Sequence, residues 1–489
     1  MAMKAPKPKT AREKDIETNE KLKKAGIKKI MKTVKRYHPT LFSSFISAQA
    51  YDSRKKSKVT YPAEFLLCLL FFKYILSYIS MNSFQVNCNE STVIANLLYM
   101  TGMKGYIDHL PYAKTINDFL CKLDPSFLEG VMWTIAYRIL RMKIFYRHRL
   151  NGRYWIIAID GTQLYSGLRK INDKCLFRIH NQGKKNEYTE YYISVLIARI
   201  VFPELTLGIP IGVEFIQNNA EDAERQKSMG AEKIKQDCEI KACQRMVKKL
   251  KKRFPKLPVC IVVDSLYVSK PFLQLCADVK WPTIIRYKSG AYPEIQEIVE
   301  MARKTNGITL VEGIRNVKDA GFYSDIELSN GTTVNYFEAQ CLVLDPKPHK
   351  GRGKQSKNTE QKWTSFCWIT TLPLTEKIVA DIISAGRSRW DIEESFFRNK
   401  KLTNDITHMC SWNEKAIKNH LFMFLIADLF RQLYEYDNLI KPDMKWTLAQ
   451  VIRWLRYGMM NDNIQNDPEM LLFSWKKRQK KKPGQTCAA

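Results

Sequence analysis

The sequence predicts an α/β protein, a sheet-bearing core preceded by an all-helical N-terminal domain. Three observations carry this. Up to about Arg149 the apolar residues recur at helical spacing; from Tyr154 onward they gather into continuous β-prone runs; and a strongly charged helical stretch separates those runs. At 489 residues, 45% hydrophobic and 26% charged, the chain has enough apolar material for two or three packed domains, which excludes a disordered protein.

Residues 1–149 are expected to form a helical, basic N-terminal domain. Leu66, Leu67, Leu70 and Tyr74 fall on one helix face, and Asp118-Phe119-Leu120 lead into an apolar run after Pro125. The stretch Phe65 to Ile79 is shorter than the roughly 20 residues a membrane span requires. It also contains Lys73, so it reads as a buried helix. The basic start, Met1 to Thr10, is followed by no apolar core, and no secretory signal is expected.

Residues 150–300 read as the first part of the core. Tyr154 to Ile159, Tyr191 to Val201 and Ile209 to Ile216 suggest a three-stranded meander. A charged helix from about Ala231 to Phe254, the strand Val259 to Val263, a short helix through Phe272 to Cys276 and the strand Thr283 to Tyr287 follow. Residues 301–372 read as a β-rich insertion, with Ile308 to Val311, Asp325 to Leu328 and Val334 to Phe337 alternating at period two around Asn330-Gly331. Asn-Gly between alternating runs is the strongest short hairpin signal. The basic stretch Lys347 to Gln361 reads as an exposed loop. Residues 373–440 are expected to complete the core with a helix from about Leu374 to Leu402 and another from Glu414 to Tyr436. Residues 441–489 close the chain with a helix and a basic tail that includes Lys476 to Lys482.

Against 49 acidic residues stand 79 basic ones, a net charge of +30, which points to a polyanionic partner rather than an acidic small molecule. Residues 1–60 alone carry 17 Lys and Arg against 5 Asp and Glu, a surplus that phosphate backbone would match. A solvated tail explains the first 20 residues equally well. The 12 cysteines are scattered without a Cys-x-x-Cys pair, the usage of a reducing compartment. Cys175 with His180, Cys238 with Cys243, and His408 with Cys410 make no recognised zinc set.

Breaking a phosphodiester requires an activated water and a stabilised leaving oxygen, which a pair of divalent metals held by hard carboxylate oxygens supplies. Three acids stand where such a site could assemble. Asp160 is expected to end the first strand, directly before Gly161-Thr162, and Asp264 to end the strand Val259 to Val263. On neighbouring strands the two would reach one ion. At ~100° per residue Arg389, Glu393 and Lys400 fall within ~40° of one another on a helix. Trp390 and Phe397 flank that stripe on one side, Ile392 and Phe396 on the other. The alternative is ordinary: two turn acids and a surface Arg–Glu pair. Other acids fit less well. Glu394 points ~100° away, Asp391 lies off the stripe and Glu214 is mid-strand. Asp237 and Glu239 are expected to pair with the lysines around them, and His180 and His408 are either helpers near the site or structural groups.

Asp160-Gly-Thr, Asp264-Ser-Leu-Tyr267 and Arg389-x3-Glu393-x6-Lys400 together resemble the DDE transposases of bacterial insertion sequences, in particular the IS-four family. The likeness spans about Leu110 to Gln432. It includes Leu110-Pro-Tyr-Ala-Lys-Thr-Ile-Asn-Asp-Phe119, Lys235-Gln-Asp-Cys-Glu239, and a glutamate reached only after the β-rich insertion. The resemblance implies an RNase H-like mixed sheet, two magnesium ions for which manganese can substitute, and cleavage and strand transfer of DNA at the element's terminal inverted repeats. It makes Asp160, Asp264 and Glu393 the catalytic metal ligands and places Arg389, Lys400 and Trp390 on DNA. Many members carry Tyr three residues before the arginine, where this chain has Gly386, so that DNA contact is not carried over. Further implications are double-stranded DNA as partner at both repeats and target, a homodimer joining two ends, no membrane, and a cytoplasmic, nucleoid-associated location. Two other readings use the same residues: a transposase-derived DNA-binding protein without chemistry, and an RNase H-like nuclease.

Overall fold

The computed structural model describes residues 26–55, 57, 59–103, 107–203, 205–218, 224, 236–329, 331–346, 359–390, 392, 407–439 and 447–466. The chain divides into two compact units, one of residues 1–141 with 403–489 and one of residues 142–402. After helical residues 26–37 and a short helical stretch over 41–50, the first unit continues in chain order with α1 (Ala63–Ile75), α2 (Met81–Cys88), α3 (Ser91–Thr101), α4 (Ala113–Lys122) and α5 (Pro125–Arg141). The second unit follows with β1 (Trp155–Gly167), β2 (Leu176–His180), β3 (Tyr188–Phe202), β4 (Leu205–Ile216), α6 (Glu239–Arg253), β5 (Val259–Val263), α7 (Lys270–Asp278), β6 (Thr283–Tyr287) and α8 (Pro293–Lys304). Then come β7 (Thr309–Val311), β8 (Val317–Glu327), β9 (Thr333–Pro346), β10 (Thr359–Thr370) and α9 (Glu376–Ser388). The chain returns to the first unit with α10 (Glu414–Leu439) and α11 (Leu448–Asn461).

Among the described residues the second unit has ten strands in one mixed sheet, ordered β2-β3-β1-β5-β6-β10-β9-β8-β7, with β4 also paired to β3. β3 is long enough to take two partners on one side, β2 along Tyr188–Tyr192 and β4 along Ser194–Phe202. Its other side pairs antiparallel with β1. β5 runs parallel to β1, and β6 parallel to β5. Parallel neighbours need a crossover, which α6 and α7 supply in turn. Every residue of Trp155–Ile159 and of Val259–Val263 is buried, as in strands covered on both faces. α6 packs on β3 and β4 through Ala242, Cys243, Met246, Val247 and Leu250, while Lys248, Lys249, Lys252 and Arg253 stay exposed.

Several elements differ from the sequence expectation. β1 does not stop at Ile159 but runs on to Gly167, because Gly161–Gly167 keep pairing with β3. β2 was not expected, nor was β10, whose polar start hides an alternating strand. The strands between 309 and 370 extend the same sheet through the pairing of β10 with β6. The hairpin turn is present: Gly331 sits at φ +76° and its N–H donates to Leu328 O at 2.8 Å, while Asn330 is outside the described residues. The charged helix begins at Glu239 rather than near Ala231. Of the helix expected from about Leu374 to Leu402, α9 covers Glu376–Ser388, and residues 391 and 393–402 lie outside the described residues. The basic tail Lys476 to Lys482, the loop 347–358 and residues 1–25 lie outside the described residues.

In the first unit α1 is buried on every side, as its apolar composition demands, and α10 packs against α1, α4 and α5. Asn419 on α10 donates to the carbonyls of Leu120 and Leu123, both at 2.9 Å, satisfying acceptors that the end of α4 leaves open. Asn96 on α3 donates to Met459 O and Asp462 O and accepts from Ile464 N–H, which ties α3 to the end of α11. Among the described residues no helix is long and apolar enough to cross a membrane.

His420, on α10, bonds the Tyr74 hydroxyl at 2.8 Å and Asn117 Oδ1 at 3.0 Å. Burial, and then the charges of Lys73 and His408, push its pKa down to about 3. The folded state therefore binds fewer protons than the unfolded one below the ordinary histidine value, and stability is present above about pH 6.5 and lost as pH falls toward 3. Lowering the pH from 6.5 to 5 should cost up to about 2 kcal/mol through this group. His420→Gln should remove that part of the acid sensitivity, read as the change in denaturant midpoint between the two pH values.

Candidate active site

The register of the two central parallel strands sets the site. Ala158 of β1 stands opposite Val262 of β5, and two residues further along both chains come Asp160 and Asp264. Residues level on parallel neighbours point to one face with strands ~4.8 Å apart. Asp160 is half-buried and its Oδ1 accepts the Gly161 N–H at 2.9 Å. It does not end its strand, as the sequence suggested. β1 continues along β3, and its pairing with β5 stops at Ala158, so Asp160 lies where only one of the strand's two edges is paired. Asp264 does follow its strand directly, and it caps the turn Ser265–Tyr267 by accepting Leu266 N–H on Oδ1 at 2.9 Å.

A third acid meets these two, and the sequence had assigned it elsewhere. Among the described residues Glu239, the first residue of α6, pairs with no lysine; its Oε1 accepts the Tyr267 hydroxyl at 2.9 Å. Its Oε2 lies 2.9 Å from the position a Cβ on Gly161 would take. Glycine after Asp160 is thus the vacancy that admits this carboxylate. Burial raises the Glu239 pKa and so does the charge of Asp264, against the opposing hydrogen bond from Tyr267. Tyr267 is buried, and burial with its acidic neighbours pushes its hydroxyl pKa far up, so it remains a donor. In the sequence Asp264 and Tyr267 share one motif, Asp264-Ser-Leu-Tyr267, while Glu239 closes another, Lys235-Gln-Asp-Cys-Glu239. Their link to Glu239 spans 28 residues.

Arg389 follows α9 in helical conformation and reaches Asp160, Nη1 to Oδ2 at 3.7 Å, with both side chains mostly buried. The residue expected at DNA thus lies beside one of the two aspartates. Beside it, Arg286 donates to Cys367 O and Ser365 O and lies over the rings of Phe366 and Trp368. Burial lowers the Arg286 pKa, and the nearby Arg389 lowers it further. Gly386 has a steric reason: a Cβ there would sit 2.7 Å from Trp368 Nε1, so the indole occupies the room a tyrosine would need. Trp390 is exposed and Ile392 buried. Glu393, Lys400, Asp391, Glu394, Phe396 and Phe397 lie outside the described residues.

The remaining candidates have other partners. Asp237 pairs with Arg245 at 2.6 Å, an arginine rather than a lysine, and Glu214 shares the same guanidinium at 2.7 Å. His180 bonds Glu190 at 2.7 Å and stacks on Tyr188. His408 is exposed in the other unit. Hard carboxylate oxygens suit a divalent cation such as magnesium, so Asp160 and Asp264 fit the expected ion by donor type. Among the described residues no three His, Cys, Asp or Glu side chains gather closely enough to hold a metal.

The contact at Gly161 is open to a direct test. Gly161→Ala should drive its methyl into the Glu239 carboxylate and destabilise the protein by about 1–3 kcal/mol. In a Glu239→Ala background the same change should cost much less, a non-additivity that a double-mutant cycle of unfolding free energies reads out.

Residues 237–428 match the family described as the transposase DDE domain, a stretch that contains Glu239, Asp264 and Arg389 and begins after Asp160. No curated protein matches the chain. Over those residues, under half of its length, the chain is similar to the DDE domain of transposases.

Proposed function

We propose that the protein cleaves DNA at the terminal inverted repeats of an insertion sequence and joins the freed ends to target DNA, with Asp160, Asp264 and Glu393 holding two magnesium ions. The observation that carries this is that Asp160 and Asp264 each come two residues after the paired Ala158 and Val262 of adjacent parallel strands, with Arg389 beside Asp160. The strand order supports an RNase H-like core: β4, β3 and β1 form an antiparallel meander, and β5 and β6 continue parallel to β1. On this reading β7 to β10 are the β-rich insertion, residues 1–149 bind DNA, and likeness to the IS-four family follows the same motifs.

Bound ions would supply an activated water and charge neutralisation at the leaving oxygen. The chain's own groups prepare their place. Backbone N–H groups of Gly161 and Leu266 fix one oxygen of each aspartate and leave Oδ2 of both directed elsewhere. Arg389 compensates the negative charge of Asp160 and is placed to pass that compensation to a phosphate. Exposed Trp390 offers a flat face for a base or sugar, and Lys400 would join it on the strand. The basic N-terminal segment and the Lys476 to Lys482 cluster would hold flanking duplex, and joining two ends calls for a homodimer in the synaptic complex. Such a protein would work in the cytoplasm at the nucleoid.

With magnesium, purified protein should nick DNA carrying the element's ends and transfer the strand, whereas RNA–DNA hybrid should be a poor substrate. Asp160→Asn and Asp264→Asn should each abolish nicking while keeping DNA binding. Cutting by Asp264→Asn at the wild-type rate would end the proposal. Binding should weaken about 10³-fold or more between 50 and 200 mM salt if six or more phosphates are contacted, measured by fluorescence anisotropy.

A further inference from the structure

Glu239 holds no ion in that scheme, yet it connects the two motifs that do. We propose that Glu239 is a positioning residue that sets the spacing of Asp160 and Asp264, an inference that rests on reading those two as metal holders. One carboxylate oxygen takes the hydroxyl of Tyr267, the last residue of the turn that Asp264 caps. The other lies against Gly161, the residue after Asp160. Glu239 therefore touches both motifs from a third element. That element is anchored independently, since α6 is fixed to β3 and β4 by its own buried apolar face.

The choice of residue argues for this task over simple filling. A half-buried carboxylate near another acid is costly unless hydrogen-bonded, and an apolar side chain would fill the space more cheaply. The contacts of Glu239 run to the residues beside the two aspartates, the Tyr267 hydroxyl and Gly161, so it acts on them through their neighbours. Groups that orient metal ligands govern affinity nearly as strongly as the ligands. The Tyr267 hydroxyl and the vacancy at Gly161 orient Glu239 in its turn.

The test is Mn²⁺ affinity of the full chain by isothermal titration calorimetry, alongside the melting temperature of the metal-free protein. Glu239→Ala and Tyr267→Phe should each weaken Mn²⁺ binding about 10- to 100-fold, and Glu239→Gln, which still accepts from Tyr267, should stay within about threefold of wild type. Unchanged Mn²⁺ affinity in Glu239→Ala and Tyr267→Phe, with only a lower melting temperature, would overturn the proposal in favour of a purely structural role. Equal weakening by Glu239→Gln and Glu239→Ala would overturn it too, since charge rather than geometry would then matter. Tyr267→Phe, the milder change, keeps the test decisive should Glu239→Ala not fold. Asp264→Asn separates the levels: if it loses Mn²⁺ while Glu239→Ala keeps it, only the positioning role fails. If wild type and Asp264→Asn bind Mn²⁺ alike, the metal reading of the site fails.

Discussion

Parallel pairing of β1 with β5 is the constraint on which the rest depends. Parallel strands fix register along their whole length, so choosing Ala158 opposite Val262 also chooses the level of every later residue. A slip of one residue would send one aspartate to the opposite face. The surrounding sheet guards against it. β1 is held on its other edge by β3 well past the acidic position, and β5 is held on its other edge by β6. The site thus sits in the middle of a broad sheet, where register is most strongly determined by burial on both faces.

A second layer of order comes from the segment after the sheet. α9 approaches β10 so closely at Gly386 that only a glycine fits against the Trp368 indole. Trp368 is stacked between Phe337 and Phe366, a stiff aromatic row with little freedom to yield. Close approach there delivers Arg389 to Asp160. In a chain of net charge +30 these half-buried acids form a local concentration of negative charge, and Arg389 compensates that of Asp160.

Much of this architecture was legible in the sequence, for identifiable reasons. β5 and β6 are short apolar runs bounded by turn residues, and their ends were read to the residue. The buried helix α1 and the long helix α10 declare themselves through composition and length. β1 was cut short because Gly161-Thr162 looks like a turn, whereas the glycine answers a distant carboxylate and the strand simply continues. β10 was missed because Thr359 to Lys362 are polar and gain their strand only from pairing with β9. Glu239 was assigned to lysines because neighbours on one helix are what a sequence displays; Tyr267, across a strand, is not. Asp160 and Asp264 were legible as acids, but their common level was not, since register belongs to the sheet and not to either strand.

The division of the chain has a consequence for biosynthesis. α10 and α11 cover helices that were made more than 270 residues earlier, as the bond from Asn419 to Leu120 across 299 positions shows. The N-terminal helices therefore leave the ribosome with their apolar faces bare, while the intervening sheet holds its own partners within a contiguous stretch of chain. The middle can mature first and the ends must wait for each other. Nascent chains halted after the sheet would present α1, apolar on all sides, to chaperones and proteases.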